Sequence, residues 1–430
     1  MSWSNWTGDQ TCYPDVLATP SGVDELSDLL HRATERELEV RVAGAGHAFS
    51  DAVLTDGMLI SLDRMDRVLE VDAAARRVTV QAGIRLRALN EVLDAHGLAL
   101  ENLGDIDAQS IAGATATGTH GTGGRFANLS SNIVSLELMS ADGSVVELSE
   151  AKDPDAWRAA RVSIGALGVI TVLTLRVVPA FTLRARDEPR RLEDVLDNIE
   201  ALVADNDHFE FFVFPHSRLV QTRTNKHVHE TPQPRSPVKE WLDDEFLPNV
   251  VFGGVQRLGR RMPRMIPLID RVAARAWGTS TRVDRSHRIF VSPRRVRFTE
   301  MEYAIPREHA TGAIEAVKLI AERPELKVSF PIEVRFVAPD DAFLSPAAGR
   351  DTCYIAVHMF ERTDWRTYFS EVEAIMGSLG GRPHWGKRHS QTAATLATRY
   401  PEWERFVAVR DRLDPARRFT NAYIARTLGP

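Results

Sequence analysis

The chain has 430 residues, of which 43% are apolar and 26% are charged, and its formal net charge is −6. This length exceeds what one compact core usually holds, so two or three domains are expected. The composition is that of an ordinary globular protein, and the acidic balance argues against a nucleic-acid-binding protein, which needs a concentrated basic surface.

The cysteine content and the N-terminus bear on the cellular compartment. Only Cys12 and Cys353 are present, which is too few for a disulfide framework and favours a reducing compartment. The N-terminal residues lack the basic and apolar regions of a signal peptide. No uncharged apolar run reaches the length of about 18 residues that a membrane span needs. We therefore expect a cytoplasmic protein without a membrane span.

The first third of the chain predicts short strands mixed with helices. Residues 21–37 predict a helix, because their apolar side chains share one face and Ser21 with Asp24 fits a capping box. A second helix is predicted over residues 85–96, ending at Gly97. Strands are predicted at residues 40–42, 58–63, 68–72, 78–82, 134–139, 144–148 and 169–178, the fifth and sixth of these forming a hairpin.

Two glycine-rich segments interrupt this pattern. In residues 40–50, a strand runs into Gly44, Gly46 and His47. Residues 102–124 contain six more glycines and show no helical periodicity. Small residues let backbone N–H groups approach an anionic ligand closely. Two such loops in one domain indicate a long diphosphate ligand held from two sides, as FAD would be.

A Rossmann dinucleotide fold is the alternative interpretation of the first loop. Its fingerprint needs a third glycine where Phe49 stands, followed by an amphipathic helix, and residues 51–63 instead predict a loop and a strand. The sequence therefore disfavours that fold. It also contains no serine-hydrolase elbow and no spacing typical of metal ligands, so no metal site is predicted.

The pattern changes near Pro179. Beyond this residue, strands alternate with helices, which predicts a sheet covered by helices. The expected domains are residues 1–179, residues 180–380, and a C-terminal segment, 381–430, that returns to the first domain. The strands are predicted at residues 209–214, 288–290, 298–303, 327–337 and 354–360, and the helices at 192–205, 307–321 and 365–379.

Four segments together resemble the aldonolactone oxidases, flavoproteins of the vanillyl-alcohol-oxidase superfamily. They are VRVAGAGHAFSD (40–51), NLGDIDAQSIAGATATGTHGTG (102–123), FPIEVRF (330–336) and RPHWGK (382–387). The resemblance extends from about Pro14 to the C-terminus. It implies an α+β fold, in which an FAD-binding domain of two subdomains joins an α/β cap domain that shapes the substrate pocket.

The resemblance also implies a reaction. An aldono-1,4-lactone of the L-gulono type would be oxidised at C2 by hydride transfer to flavin N5. Molecular oxygen would be reduced to hydrogen peroxide, and the product would be ascorbate or an analogue. Asp105 stands where polyol-oxidising relatives carry Ser, which favours a lactone substrate. Gly104 stands where some dehydrogenase-type relatives carry Ala, which favours an oxidase.

Three other functions remain as alternatives. They are an alditol oxidase, a lactone dehydrogenase that passes electrons to an acceptor other than oxygen, and a carbohydrate-binding protein that has kept the fold without the activity.

In the resembled family, a histidine at the position of His47 attaches FAD covalently at its 8α position. The isolated residue would equally fit a histidine that only hydrogen-bonds the loop or the flavin. The predicted cofactor-binding residues are Ala43, Gly44, Ala45, Gly46, His47, Ala48, Ser50, Gly104, Ser110, Gly113, Ala114, Thr117, Gly118, Thr119, His120, Gly121, Gly168, Ile170 and Asn421.

The candidate catalytic residues lie late in the sequence. Glu333 and Arg335 alternate along an apolar strand, so their side chains share one face. A structural ion pair is the simpler interpretation, but the resemblance places this pair beside the substrate. Arg335 would anchor the substrate, and Lys387 beside it would act as a base or stabilise charge. The resemblance adds His358 and Asp105 on the substrate side.

The middle of the chain carries one further implication. Animal relatives are membrane-associated through an apolar region there. In this chain, residues 246–277 contain six arginines. We therefore expect no membrane association, although an interfacial amphipathic helix remains an alternative.

Overall fold

A computed structural model describes residues 2–430 of the chain. Up to Pro179, short strands predominate and four α-helices connect them. The strands are β1 Trp3–Ser4, β2 Thr11–Cys12, β3 Val16–Ala18, β4 Val40–Ala43, β5 Met58–Ser61, β6 Val68–Asp72, β7 Arg77–Gln81, β8 Leu98–Ala99, β9 Ile133–Met139, β10 Val145–Ser149, β11 Val169–Arg176 and β12 Val178–Pro179. The helices are α1 Val23–Glu35, α2 Leu86–Ala95, α3 Ile111–Ala116 and α4 Pro154–Arg161, with a 3-10 turn at Leu129–Asn132.

These strands form two main sheets. One is a parallel sheet of three strands in the order β3-β5-β4, and the other is an antiparallel sheet of five strands in the order β10-β9-β11-β7-β6. The apolar faces of α1 and α2 bury Leu26, Leu30, Leu89 and Leu93 against them. The part of the chain before Pro179 is therefore built on two small sheets, and the first glycine loop follows β4 directly.

The second part of the chain is built on one antiparallel sheet of eight strands, in the order β16-β13-β15-β14-β18-β19-β17-β20. These strands are β13 Thr182–Arg191, β14 His208–Val213, β15 Leu219–Val228, β16 Ser280–Arg285, β17 Phe298–Pro306, β18 Ile332–Val337, β19 Thr352–Phe360 and β20 Arg382–Pro383. The helices are α5 Leu192–Asp197, α6 Ile199–Asp205, α7 Pro237–Glu240, α8 Phe252–Arg261, α9 Ile266–Ala276, α10 Ser286–Phe290, α11 Ala310–Ala321 and α12 Arg366–Ser378, with a π-helix at Trp241–Val251 and 3-10 turns at Pro263–Met265, Arg307–His309 and Pro324–Leu326.

One face of the large sheet is covered by helices. Ile332, Val334 and Phe336 of β18 point to that face and are buried with side chains of α5, α6, α11 and α12. Since side chains alternate along a strand, Glu333 and Arg335 point to the opposite face. That face looks toward the glycine loops.

The last helices are α13 Ala393–Ala397, α14 Trp403–Leu413 and α15 Ala422–Leu428. Phe406, Phe419 and Ile424 are buried in the same core as the N-terminal sheets. The backbone N–H of Val40 donates to the carbonyl of Arg418 at 2.9 Å. The C-terminal segment therefore packs against the strand that leads into the first glycine loop, while the boundaries at residues 179 and 380 stay a prediction.

Several local predictions were wrong. Residues 288–290 lie in α10 and are not a strand, and the helix predicted over 192–205 is divided into two at Asn198. Helix α1 has no capping box, because its N-cap is Gly22 and the Ser21 hydroxyl instead bonds Glu25 at 2.9 Å. The second glycine run, in which no helix was expected, contains α3.

Residues 246–277 include helices α8 and α9, and several of their apolar side chains are exposed. Leu258, Met262, Leu268 and Val272 are among the exposed large hydrophobic residues. None of the helices within residues 2–430 combines the length and the apolar character that crossing a bilayer requires.

Candidate active site

A cavity of about 1340 Å³ lies between the glycine loops and the uncovered face of the large sheet. The loop after β4 and the N-terminal end of α3 form one wall. Charged side chains of β17 and β18 form the facing wall, and apolar side chains of α8 and α9 line the remaining side. The cavity thus joins a wall of backbone to a wall of ionisable groups.

Most residues predicted to bind the cofactor line this cavity. They are Ala43, Gly44, Ala45, Gly46, His47, Ala48, Ser50, Gly104, Ser110, Gly113, Thr117, Thr119, His120, Gly168 and Ile170.

Four residues of that prediction lie behind the wall. Ala114 is fully buried in α3, Gly118 packs against Pro346, and Gly121 packs against the backbone of Leu103. Asn421 caps α15 and donates hydrogen bonds to three backbone carbonyls that follow the first loop, those of Asp51, Ala52 and Leu54. In the structure these four residues support the loops.

The two glycine loops touch each other at the wall of the cavity. A Cβ atom added at Gly44 would lie 2.4 Å from the Ser110 hydroxyl oxygen, and one added at Gly113 would lie 2.9 Å from the same atom. Gly46 has a φ of +70°, a conformation that side-chain-bearing residues rarely adopt. These positions therefore need glycine, and backbone groups form the wall of the cavity here.

His47 stands at the end of the first loop, where its ring stacks on Trp6 with a centroid distance of 5.3 Å. Burial lowers its pKa to about 4, and the positive charges of Arg85 and Lys387 add to this effect. The imidazole is therefore neutral at physiological pH, and a neutral imidazole is the nucleophilic form.

Arg335 lies at the centre of the charged wall, 8% exposed. Its guanidinium contacts three carboxyl groups. Two of them, Glu333 and Asp105, were predicted to lie here, and the third, Glu210, was not. The Nε–Glu210 Oε2 distance is 3.0 Å. Arg294 also pairs with Asp105, at 2.8 Å, and so links a loop of the large sheet to the second glycine segment.

Asp105 and Glu333 differ in the direction of their pKa shifts. Burial disfavours ionisation of Asp105, but Arg335 and Arg294 outweigh burial and hold its pKa below the usual range. Burial raises the pKa of Glu333 to about 8, and the charges of Asp105 and Glu210 oppose the favourable effect of Arg335. Glu333 therefore carries a proton at neutral pH.

Lys387 contacts Glu300, a residue that the sequence analysis did not select. Its Nζ lies 2.5 Å from Glu300 Oε2, and the His358 Nε2 lies 3.6 Å from the other oxygen of that carboxylate. Burial disfavours the charged carboxylate, but Lys387 and His358 lower the pKa of Glu300 below its usual range. The predicted neighbour of Lys387 was Arg335, so the structure assigns this lysine a different partner.

A third group contains His120, which was predicted to contact the cofactor. Its Nδ1 bonds the carbonyl of Gly121 at 2.8 Å, its Nε2 lies 3.1 Å from Glu302, and its ring stacks on Tyr354. His384 lies close by. One of its ring nitrogens, one ring nitrogen of His120 and one carboxylate oxygen of Glu302 lie within 4.8 Å of one another. Hydrogen bonds of His120 thus fix the end of the second glycine run to strand β17.

The sequence contained a signal for some of the missed residues. Glu300 and Glu302 alternate in an apolar strand in the same way as Glu333 and Arg335. Glu210 likewise interrupts an apolar run. The rule that selected β18 would therefore have selected these strands as well.

The comparisons with known proteins agree with this arrangement. Residues 14–149 match an FAD-binding domain family, and residues 173–427 match the D-arabinono-1,4-lactone oxidase family. The first part of the chain is therefore an FAD-binding domain, and the residues at the cavity wall fit that cofactor because the glycine loops leave backbone free to approach a diphosphate.

Relatives extend over the whole chain. The L-gulono-1,4-lactone dehydrogenase of Mycobacterium tuberculosis is 50% identical over 428 residues, covering 100% of this chain and 99% of that protein. The L-gulonolactone oxidase of Bos taurus is 35% identical, covering 99% and 98%. The alditol oxidase of a Streptomyces species is 31% identical, covering 98% and 97%.

Solved structures support the fold. A solvent-stable cholesterol oxidase superposes with a TM-score of 0.84 at 19% identity, covering 100% of this chain and 97% of that chain. A cholesterol oxidase from B. sterolicum gives 0.81 at 18% identity, covering 100% and 96%. These confirm the α+β fold of the vanillyl-alcohol-oxidase type. The chain belongs to the D-arabinono-1,4-lactone oxidase family of FAD-binding oxidoreductases.

Proposed function

We propose that the protein oxidises an aldono-1,4-lactone of the L-gulono type at C2, giving a 2-keto lactone that enolises to ascorbate or an analogue. The observation that carries this proposal is the charged wall of Glu333, Arg335 and Asp105 facing the FAD-binding loops across one cavity. FAD, when bound, supplies the acceptor for the hydride and transmits the electrons onward.

The residues of the wall have separate roles in this proposal. Arg335 cannot lose its proton, so it binds the oxygen atom on which negative charge develops as the C–H bond breaks. Glu333, which is neutral at rest, donates a hydrogen bond to a lactone oxygen. His358 lies on β19, next to β18, and accepts the proton of the substrate C2 hydroxyl group. Lys387 lies in the segment after β20 and, paired with Glu300 of β17, faces the other hydroxyl groups of the substrate.

We propose further that FAD is attached covalently through His47. The support is the neutral state of the imidazole and its place at the end of the loop that fits the cofactor. A ring nitrogen of His47 would be bonded to the flavin 8α carbon. The methyl group and the imidazole would each give up one hydrogen, and the flavin itself would accept the two electrons before its acceptor reoxidises it. Residues that surround the loop hold the ring, with Trp6 stacked on one side.

Oxygen is the electron acceptor in this proposal. Gly104 lines the cavity without a side chain, and a Cβ atom there would lie 3.1 Å from the carbonyl oxygen of His120. Glycine therefore leaves the cavity wall open at this position, and a larger residue would require the backbone of His120 to shift slightly. The second candidate is a dehydrogenase with another acceptor, which is favoured by the name of the mycobacterial relative that is 50% identical.

The test is turnover by the purified, flavin-containing protein. L-gulono-1,4-lactone, D-arabinono-1,4-lactone and xylitol would be supplied in air and under anaerobic conditions with an artificial electron acceptor. We expect lactones to be oxidised faster than xylitol, with hydrogen peroxide formed in air. Turnover only with the artificial acceptor would establish the dehydrogenase, and faster oxidation of xylitol would establish the alditol oxidase.

A further inference from the structure

Arg335 has more negative neighbours than the proposed reaction uses. Asp105 and Glu333 face the cavity, but Glu210 contributes a third carboxylate that has no part in the reaction. Glu210 is 5% exposed, and burying a carboxylate is costly unless its partners compensate. Its presence beside Arg335 therefore needs a physical explanation.

Glu210 belongs to a row of alternating charges that crosses four adjacent strands. In the antiparallel register, Asp187 of β13 lies opposite Arg223 of β15, Arg223 lies opposite Glu210 of β14, and Glu210 lies opposite Arg335 of β18. Directly opposed residues of antiparallel strands project from the same face. The row thus leads along the uncovered face of the sheet to the charged wall.

Side-chain contacts link each residue of this row to the next. Arg223 binds Asp187 through two hydrogen bonds, of 2.7 and 3.3 Å, and its other nitrogen lies 3.5 Å from Glu210. Glu210 in turn accepts from the Nε of Arg335 at 3.0 Å. A guanidinium held at Nε is restricted in rotation, and its Nη2 then lies against both Asp105 and Glu333.

The charges around Glu333 affect its pKa. The titratable and charged groups that face Glu333 are Arg335 on its own strand, Glu210 on β14, His358 on β19, Glu300 on β17, and Asp105 and Arg294 from the facing loops. Burial raises the pKa of Glu333 and Arg335 opposes this effect, whereas the negative charges of Asp105 and Glu210 add to it. The negative charge of Glu210 is therefore one cause of the raised pKa of Glu333.

We propose that Glu210, held by Arg223 and Asp187, is a positioning residue that orients Arg335 and places its negative charge beside the contact of Arg335 with Glu333. This inference rests on the proposed function for the role of Arg335 in the reaction. The orientation and the protonation, however, are properties of the protein itself and are measurable without a substrate.

The test compares Glu210→Gln and Glu210→Asp with Glu188→Gln. Gln keeps the size of the side chain and removes its charge, whereas Asp keeps the charge and shortens the reach to Arg335. Glu188 lies on the same sheet and pairs with Arg186 and Arg190, so its substitution is a control outside the site.

Two quantities are measured in each flavin-containing variant. The first is the infrared band of a protonated carboxylic acid as a function of pH, assigned to Glu333 by its absence in Glu333→Gln. The second is kcat and KM for the preferred lactone, with flavin content and melting temperature as checks on folding.

In Glu210→Gln we expect the band to disappear at a lower pH than in the unmodified protein, because one negative charge near Glu333 is gone. We expect kcat to fall about 10- to 100-fold, since a small misplacement of a binding group has effects of this size. In Glu210→Asp the band should titrate as in the unmodified protein while kcat falls, and Glu188→Gln should change neither quantity.

The proposal is overturned if the band titrates identically in Glu210→Gln and the unmodified protein. It is also overturned if kcat and KM are unchanged in both Glu210 variants. If Glu210→Gln does not fold, Glu210→Asp decides through kcat. If the unmodified protein oxidises neither lactones nor polyols, the proposed function fails, and the infrared comparison still decides the role of Glu210.

Discussion

At the residue scale, burial determines the ionisation of groups on both walls of the cavity. It lowers the pKa of His47 to about 4 and raises that of Glu333 to about 8. Both residues are therefore neutral near pH 7, one as a nucleophile and the other as a hydrogen-bond donor. Asp105 remains ionised in the same cavity because Arg335 and Arg294 outweigh its burial.

The covalent attachment is tested by acid precipitation of the purified protein. In the unmodified protein we expect the yellow colour to remain in the pellet, because the bond to His47 survives denaturation. In His47→Ala the colour should move to the supernatant. Colour released from the unmodified protein itself would show that FAD is bound without a covalent bond.

The raised pKa of Glu333 predicts a dependence of stability on pH. Between its usual value of 4.5 and about 8, the folded protein holds a proton that the unfolded chain releases. The contribution of Glu333 to the free energy of unfolding is therefore greatest below pH 4.5 and decreases as the pH rises through about 8.

This prediction is checked by denaturant unfolding at several pH values, with Glu333→Gln as the comparison. The amide does not titrate, so the variant should lose less stability than the unmodified protein between about pH 5 and pH 9. The other buried carboxyl groups are common to both proteins and cancel in the difference. Equal slopes would mean that Glu333 is ionised when folded.

At the scale of elements, β18 separates two tasks by its alternation. Glu333 and Arg335 face the cavity, while Ile332, Val334 and Phe336 are buried under the helices. One strand thus carries both the charged wall and part of the core. Changes on its two faces should accordingly have different effects.

Phe336 is fully buried and stacks against Phe209 at 5.9 Å. Phe336→Ala should lower the free energy of unfolding by about 3–5 kcal/mol, because it removes apolar contacts and leaves a cavity. We expect KM of the surviving folded protein to change little. Denaturant unfolding checks the stability, with Phe336→Leu as the milder control, and a selective effect on KM without loss of stability would contradict the assignment.

At the scale of the whole molecule, Arg41 connects three distant parts of the chain. Its buried guanidinium donates to the carbonyls of Ala52 at 2.8 Å, Ile164 at 2.7 Å and Phe419 at 3.1 Å. Burial lowers its pKa to about 10, so it remains charged at neutral pH. It therefore holds the C-terminal segment against the strand that leads into the first glycine loop.

Arg41→Lys should destabilise the fold by about 2–4 kcal/mol, because an ammonium group cannot satisfy the same spread of carbonyl oxygens and buried polar groups without partners are costly. We also expect less FAD to be retained, since the loop at Gly44 follows directly. Thermal unfolding and the ratio of flavin to protein check both expectations. Arg36→Lys, at an exposed ion pair, is the control.

The sequence by itself determined the elements with a long or regular pattern and the chemistry of the loops. Helices α1 and α2 were predicted by the apolar face of each, α11 and α12 were predicted as helices between strands, and alternation placed Glu333 and Arg335 on one face. Short segments were less reliable. Residues 288–290 were predicted as a strand but lie in helix α10. The prediction failed because three residues are too few for periodicity to distinguish a strand from a helix.

Only the tertiary structure decided which charged groups meet. Arg335 and Glu210 are 125 residues apart in the chain, Lys387 and Glu300 are 87 apart, and His120 and Glu302 are 182 apart. These pairs depend on the order and register of strands in the eight-stranded sheet and on how the glycine loops pack against it. Neither is encoded by local periodicity, because each is set by the burial of the whole sheet.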